Sequence, residues 1–351
     1  MKKIKIIVMT FIAFILCACS SKNDDITNNF IKKVDNSKSY SVIGTMELKN
    51  KDDSYNYDVE VNYKYDSYYK VSLTNQSNGH KQIILKNDDG VYVVTPALNK
   101  SFNFQSKWPD NSSQSYLLKS IVSDIKNTKD INVNKKGDKY IVEADVDYPN
   151  NSSLKKEKIY FDKDSNLKKV SVLDKDENEI IIMTFNKIKY SERFKESNFK
   201  LESLVKVDNK EESSNNPNEE EKKEDTEESK ETSILDSVVY PLYLPTNTHL
   251  DTKDTVEVDN GDRVIMTYTG GKPFMLIEEF SKPNKEMEVT SVYGDPLLLS
   301  SAVGALSENS LEWQSDNINY YISSSYLTSE EMMTIAESLS TKEVIEITNN
   351  K

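Results

Sequence analysis

Few residues in this chain have types and spacing that could do chemistry. Cys17 and Cys19 are its two cysteines, His80 and His249 its two histidines. Two runs, Asp162-Lys163-Asp164-Ser165-Asn166 and Asp174-Lys175-Asp176-Glu177-Asn178, carry oxygen ligands at alternate positions. That is how an EF-hand calcium loop begins, but such a loop needs Gly at its sixth position and a bidentate Glu at its twelfth. Here the sixth is Leu167 or Glu179 and the twelfth Leu173 or Phe185. Both runs read as hairpin turns, where Asp and Asn bond to the local backbone. Nucleophilic catalysis needs a base beside the nucleophile. His80 follows Gly79 in a turn, His249 stands near the start of a second module, and no G-x-S-x-G elbow is present. Carboxylates brought together by folding, as in glycosidases, stay open as an alternative. The expectation is a non-catalytic protein without metal or cofactor.

The thiols close an apolar leader. Met1-Lys2-Lys3-Ile4-Lys5 is basic, residues 6–16 are apolar apart from Thr10, and Leu16-Cys17-Ala18-Cys19-Ser20-Ser21 follows. A basic start with about a dozen apolar residues is a secretory signal peptide; a membrane span needs roughly 20. An N-terminal transmembrane anchor with two incidental thiols is the alternative. The hexapeptide resembles the bacterial lipobox: Leu, two small residues and Cys ahead of a polar tail. The resemblance implies that residues 1–18 are cleaved and that Cys19 carries diacylglycerol. Such a chain sits on the outer face of the cytoplasmic membrane and cannot shuttle freely. Each buried methylene contributes about 0.8 kcal/mol, so several acyl chains hold far better than one. Cys17 leaves with the leader and Cys19 becomes a thioether, so no thiol remains for a disulfide.

The elements that would position any site follow from composition. The chain has 351 residues, 36% hydrophobic and 29% charged, with formal net charge −13. That allows one large or two ordinary domains and argues against nucleic acid as a partner. Residues 209–232 hold ten acids, four bases and Pro217 as the only non-polar residue. They cannot bury a core and read as a disordered linker, or as a solvated helix. The modules are then 19–208, near neutral, and 233–351, strongly acidic.

In the first module Ile26, Phe30, Ile31 and Val34 share one side of a short helix. Strict alternation follows: Tyr40, Val42, Gly44, Met46, Leu48, then Tyr55, Tyr57, Val59, Val61, Tyr63, Tyr65. One apolar and one wet face predict an antiparallel sheet covered on one side. Further strands are expected at 68–74, 81–86, 91–95, 101–105, 131–133, 140–146, 155–161, 168–173 and 179–190. Between them Asn111-Ser112-Ser113 can cap a helix carrying Tyr116, Leu117, Leu118, Ile121, Val122 and Ile125. In the second module Val264, Met266 and Tyr268 alternate, and Asp316-Asn317 turns a hairpin. Thr328 with Glu331 forms a capping box before a helix lined by Met332, Ala336 and Leu339.

Three features carry a resemblance over about residues 35–204: a strand ending Val94-Thr95-Pro96, Trp108-Pro109 ahead of the helix, and the hairpin Phe161-Asp162-Lys163-Asp164-Ser165-Asn166-Leu167. They resemble the GerS and YdcC-like germination and sporulation lipoproteins, within the wider fold of the lipoprotein carrier LolA. The resemblance implies a mostly β, α+β protein: a curved antiparallel half-barrel with a helical lid, plus a small α+β C-terminal domain. It also implies the envelope around the forespore and, for some members, partnership with a cell-wall amidase in cortex modification. Residues 240–339 resemble the DUF4367 domain, through Tyr240-Pro241-Leu242-Tyr243-Leu244-Pro245 and Leu311-Glu312-Trp313; no function follows from that.

The expected function is a membrane-anchored extracytoplasmic lipoprotein that positions a cortex-modifying enzyme. The alternative is a binder of lipid or acyl chains on the concave sheet. Met46, Tyr57, Val59 and Trp108 are the candidate partner or ligand surface, with an ordinary packed core as the other reading of that face. A ligand binder needs a helix that lifts from an open apolar pocket; a scaffold needs a filled interior.

Overall fold

Alternation dictates long strands with one buried face, and they form. The computed structural model describes residues 21–50, 53–65, 67–204, 238–258 and 261–340; Cys19 with its leader and the linker 209–232 lie outside them. The chain divides into two compact units, residues 1–93 with 104–199 and residues 94–103 with 200–351.

The first unit begins with helix α1 (Ser21–Asp35) and strands β1 (Ser39–Asn50), β2 (Asp53–Lys64), β3 (Tyr68–Asn75), β4 (Lys81–Asn87) and β5 (Gly90–Thr95). After β6 (Lys100–Phe104) come helix α2 (Leu118–Asn127) and strands β7 (Asn132–Lys136), β8 (Lys139–Asp145), β9 (Lys156–Asp162), β10 (Leu167–Leu173) and β11 (Glu179–Tyr190). Its sheet runs β5-β4-β3-β2-β1-β11-β10-β9-β8-β7, with β5 and β7 not hydrogen-bonded to each other, so it is open. A bulge bends β1 against β11 between Ile43 and Gly44. A Cβ at Gly44 would lie 2.2 Å from the Thr184 carbonyl oxygen, so no other residue fits the bend.

Helices α1 and α2 pack together over the inner face. Helix α1 buries Ile26, Phe30 and Val34, and Phe30 meets Phe161 of β9 at 5.2 Å between ring centroids. Helix α2 packs on β8 and buries Leu118, Ile121, Val122, Asp124 and Ile125. Its start differs from expectation. The helix begins at Leu118 with Leu117 as an N-cap lacking any side-chain bond. Asn111-Ser112-Ser113 is not its cap, because Ser113 is spent elsewhere: it donates to Asp124 Oδ1 at 2.8 Å and accepts from the Asp147 N–H at 2.9 Å.

Both Asp-x-Asp-x-Asn runs are hairpin turns. Asp162 Oδ1 accepts from the N–H groups of Asp164 and Asn166, and Oδ2 from the Asn166 side chain. Asp174 repeats this with Asp176 and Asn178. Each first carboxylate is consumed within its own turn. Among the described residues no group of three or more His, Cys, Asp or Glu is arranged to hold a metal.

The second unit contains β12 (Tyr240–Pro241), β13 (Thr248–Val258), β14 (Gly261–Gly270), β15 (Phe274–Phe280), β16 (Glu288–Val292), β17 (Asp295–Leu298), β18 (Val303–Leu306), β19 (Ser310–Ser315), β20 (Ile318–Ser323), helix α3 (Ser329–Glu337) and β21 (Leu339–Ser340). Its main sheet runs β13-β14-β15-β20-β19-β18-β17, while β12 pairs with β21 and β6 lies beside β16. Asp316 and Asn317, at φ 48° and 64°, turn the β19–β20 hairpin. Thr328 and Glu331 close the expected capping box. Met332 and Ile335 are buried with Met266, Leu276, Leu311 and Ile322. Leu339 falls in β21, beyond the helix end, so it is not part of the helix face. Among the described residues no helix is long and apolar enough to cross a membrane.

Candidate functional site

Register brings three of the four candidate residues together. Met46 of β1 lies opposite Tyr57 of β2, and Val59 opposite Gly44, all on the inner face. Trp108 stands apart, at the end of an aromatic chain. Tyr40 stacks on Tyr63 at 4.7 Å, Tyr63 meets Tyr69 at 4.9 Å, and Tyr69 meets the Trp108 ring edge-on at 5.8 Å. None of the four is at a surface. Met46 and Val59 are 0% exposed, Trp108 1% and Tyr57 4%. These positions, the candidate partner or ligand surface, are packed interior: the apolar face that alternation creates is filled by aromatic rings and covered. Cys19 lies outside the described residues.

Polar groups are also shut under α2, and sequence reasoning missed them. Glu157 occupies an inward position on β9, in step with Ile159 and Phe161. Its cross-strand neighbours are Ala144 on β8 and Val172 on β10, both buried and apolar. Neither Glu157 oxygen has a hydrogen-bond partner, and Asp124 Oδ2 on α2 has none either. Burying a carboxyl without a partner strongly disfavours its charged form. Burial pushes Asp124 up to about 7; the Asp147 charge adds to this, and the Ser113 hydroxyl bond works against it. Burial, and then the facing Asp124, hold Glu157 well above the usual carboxylate range. The Tyr148 hydroxyl is raised by burial and by both carboxyls, while its bond to Ser115 opposes the rise. The signal was present in the sequence: alternation over 155–161 already puts Glu157 on the apolar face.

Both carboxyls of this arrangement favour the protonated form. The Ser113 hydroxyl is tied to Asp124 and Asp147. The buried histidine nitrogen, His80 Nε2, belongs to the exposed β3–β4 turn and not to this cluster. What the geometry supplies is a filled apolar interior with two protonatable groups set between a helix and the sheet beneath it.

A family model described as sporulation protein YdcC-like matches residues 1–199. Over 327 residues the chain is 34% identical to the sporulation protein YdcC of Bacillus subtilis (strain 168), covering 93% of each protein. Among solved structures, the complex of the CwlD amidase with the GerS lipoprotein from Clostridioides difficile matches at 16% identity and TM-score 0.27, covering 49% of this chain and 94% of that one. A LolA superfamily protein from Nitrosomonas europaea matches at 10% identity and TM-score 0.30, covering 50% of this chain and 98% of that one.

Proposed function

Since the chain belongs to the YdcC-like sporulation protein family, we propose that it is an extracytoplasmic sporulation lipoprotein, held at the membrane by Cys19, that positions a cell-wall enzyme. The observation that carries this reading is the 34% identity to a sporulation protein across 93% of the chain, which spans both units rather than one. Anchoring rests on the lipobox-like run ending at Cys19. Positioning a protein, rather than carrying a lipid, is favoured by the interior. Met46, Tyr57, Val59 and Trp108 are packed away, as a scaffold requires, whereas an acyl-chain binder would present them to a cavity. The choice of a cortex-modifying amidase as partner follows the resemblance to the GerS group.

The experiment has two arms. In the first, labelled palmitate is fed to sporulating cells that express the chain or its Cys19→Ala version. The label should enter only the former, and the latter should leave the membrane fraction. In the second, the chain is crosslinked and purified from those membranes, and its companions are identified by mass spectrometry. A cell-wall hydrolase enriched over control supports the reading. Extracted lipid bound in stoichiometric amount, with no enriched protein, replaces it with the acyl-chain alternative.

A further inference from the structure

Glu157, beneath α2, has no structural use that an apolar side chain would not serve better, and the oxygen of Asp124 that Ser113 leaves free has no partner either. A buried ionisable group without partners destabilises the state that contains it, and apolar residues of similar size usually do better. Glu157 is 1% exposed with both oxygens unpartnered, between Ala144 and Val172. Asp124 is 8% exposed and has one oxygen bonded to Ser113 and the other to nothing. The two sit on different layers, one on the sheet and one on the helix that covers it. Any repulsion between them therefore acts across the joint between lid and sheet.

We infer that Asp124 and Glu157 form a proton-operated latch. Helix α2 stays down on the inner face while the carboxyls keep their protons, and lifts when both are ionised. The groups facing the pair leave no other counterweight. Asp147, on the segment after β8, adds negative charge to Asp124. The Tyr148 hydroxyl beside it and the Tyr116 hydroxyl ahead of α2 are held neutral by burial. No cation is among the described groups acting on either carboxyl. The lysines of α2 point away from the pair: Lys119 and Lys126 bond Asp35 at the exposed end of α1.

The direction follows from linkage. Below the ordinary carboxylate range both forms are fully protonated and closure is undisturbed. As pH climbs from there toward neutrality, the lifted form releases protons that the closed form must retain. The open-to-closed ratio then rises by up to about tenfold per pH unit for each proton released. Opening would bare the apolar inner face around Val142 and Ile159. This holds whichever partner the protein positions.

The test is hydrogen exchange of the full-length chain from pH 5.5 to 7.5, corrected for intrinsic exchange. The opening equilibrium reported by residues 118–127 should rise at least tenfold relative to β1 and β2. In the double variant Asp124→Asn with Glu157→Gln it should be flat. A flat profile in the unaltered chain, or the same rise in the double variant, overturns the latch. Should the double variant not fold, carbon-13 carboxyl titration of the unaltered chain decides instead. Two carboxyls protonated well above the ordinary range support the latch, and ordinary titration of both overturns it.

Discussion

Each unit of this protein buries a glutamate on the apolar face of an antiparallel sheet, and the two are treated differently. Glu278, on β15, is 0% exposed, and its carboxyl accepts from the Val239 N–H at 3.1 and 3.2 Å. Burial raises it to about 7, with the Val239 bond and the Lys253 charge holding it back. Glu157, on β9, is 1% exposed and accepts from nothing. Burial and the facing Asp124 both push it up, and nothing holds it back. The first carboxyl pins the entering backbone at β12 to the sheet, so its burial is partly offset by the Val239 bond. The second is uncompensated. A buried acid is thus a fastener or a liability according to what answers it, and burial alone does not tell which.

The largest effect should be the one the units share. Phe161→Ala, on the same strand and face as Glu157, removes a ring packed on Phe30. Leu276→Ala, on the same strand and face as Glu278, empties the other core. Each should cost about 3–5 and about 2–5 kcal/mol respectively, as large-to-small core changes do. Urea unfolding followed unit by unit through hydrogen exchange reads both. If either core tolerated truncation with little loss, the two acids would not sit in comparable surroundings, and contrasting them would lose its basis.

Next in size comes the same substitution made twice. At pH 8, Glu157→Leu should stabilise the first unit by about 1–3 kcal/mol, because it removes a carboxyl with no partner and keeps the volume. Glu278→Leu should destabilise the second by about 1–3 kcal/mol, because it strands the Val239 N–H. Opposite signs are the outcome that the geometry requires; a shared sign breaks the contrast.

The pH dependence sharpens it further. A carboxyl whose folded pKa is raised contributes its full stability below the ordinary carboxylate range and loses it as pH climbs through the raised value. Glu278 therefore gives the second unit a decline that ends near 7, with a slope of at most about 1.4 kcal/mol per pH unit. Asp124 and Glu157 are both raised, so they give the first unit a decline of the same sign with up to twice that slope. Unfolding midpoints at pH 5, 6, 7 and 8 measure both. Parallel declines in the two units would mean that Glu157 is answered after all.

How much of this was legible in the sequence depends on whether one segment could declare it. Strands β1 and β2 declare themselves, because a two-residue period over nine to eleven positions has no competing reading. The capping box at Thr328 is likewise local. The start of α2 is not. Asn111-Ser112-Ser113 has the composition of a cap, but Asp124, eleven residues on, claims Ser113, and no local rule reports a demand from a distant buried acid. Alternation puts Met46, Tyr57 and Val59 on the apolar face, yet it does not say whether that face is open or filled. Glu157 was visible as an acid in step with Ile159 and Phe161. What its neighbours Ala144 and Val172 withhold from it is a matter of register between strands.

The smallest expected effect concerns the joint between the two helices that cover the first sheet. Asp35 of α1 bonds Lys126 at 2.7 Å and Lys119 at 3.5 Å, and these are the ion pairs that tie α1 to α2 among the described residues. All three side chains are substantially exposed, with Lys126 at 49% and Asp35 at 38%. Exposed pairs of this kind contribute between nothing and about 1 kcal/mol, and salt screens them. Lys126→Ala should therefore lower stability by less than about 1 kcal/mol, and 0.5 M salt should abolish most of the difference, as unfolding midpoints would show. The comparison with Arg263 and Glu279 on β14 and β15, at 2.6 Å and 41% and 22% exposed, sets the scale. That pair lies within one sheet, so its loss cannot free a helix. If Lys126→Ala raised exchange in α2 far more than Arg263→Ala raised it in β14, the surface clamp, and not the protons beneath, would be what keeps the helix down.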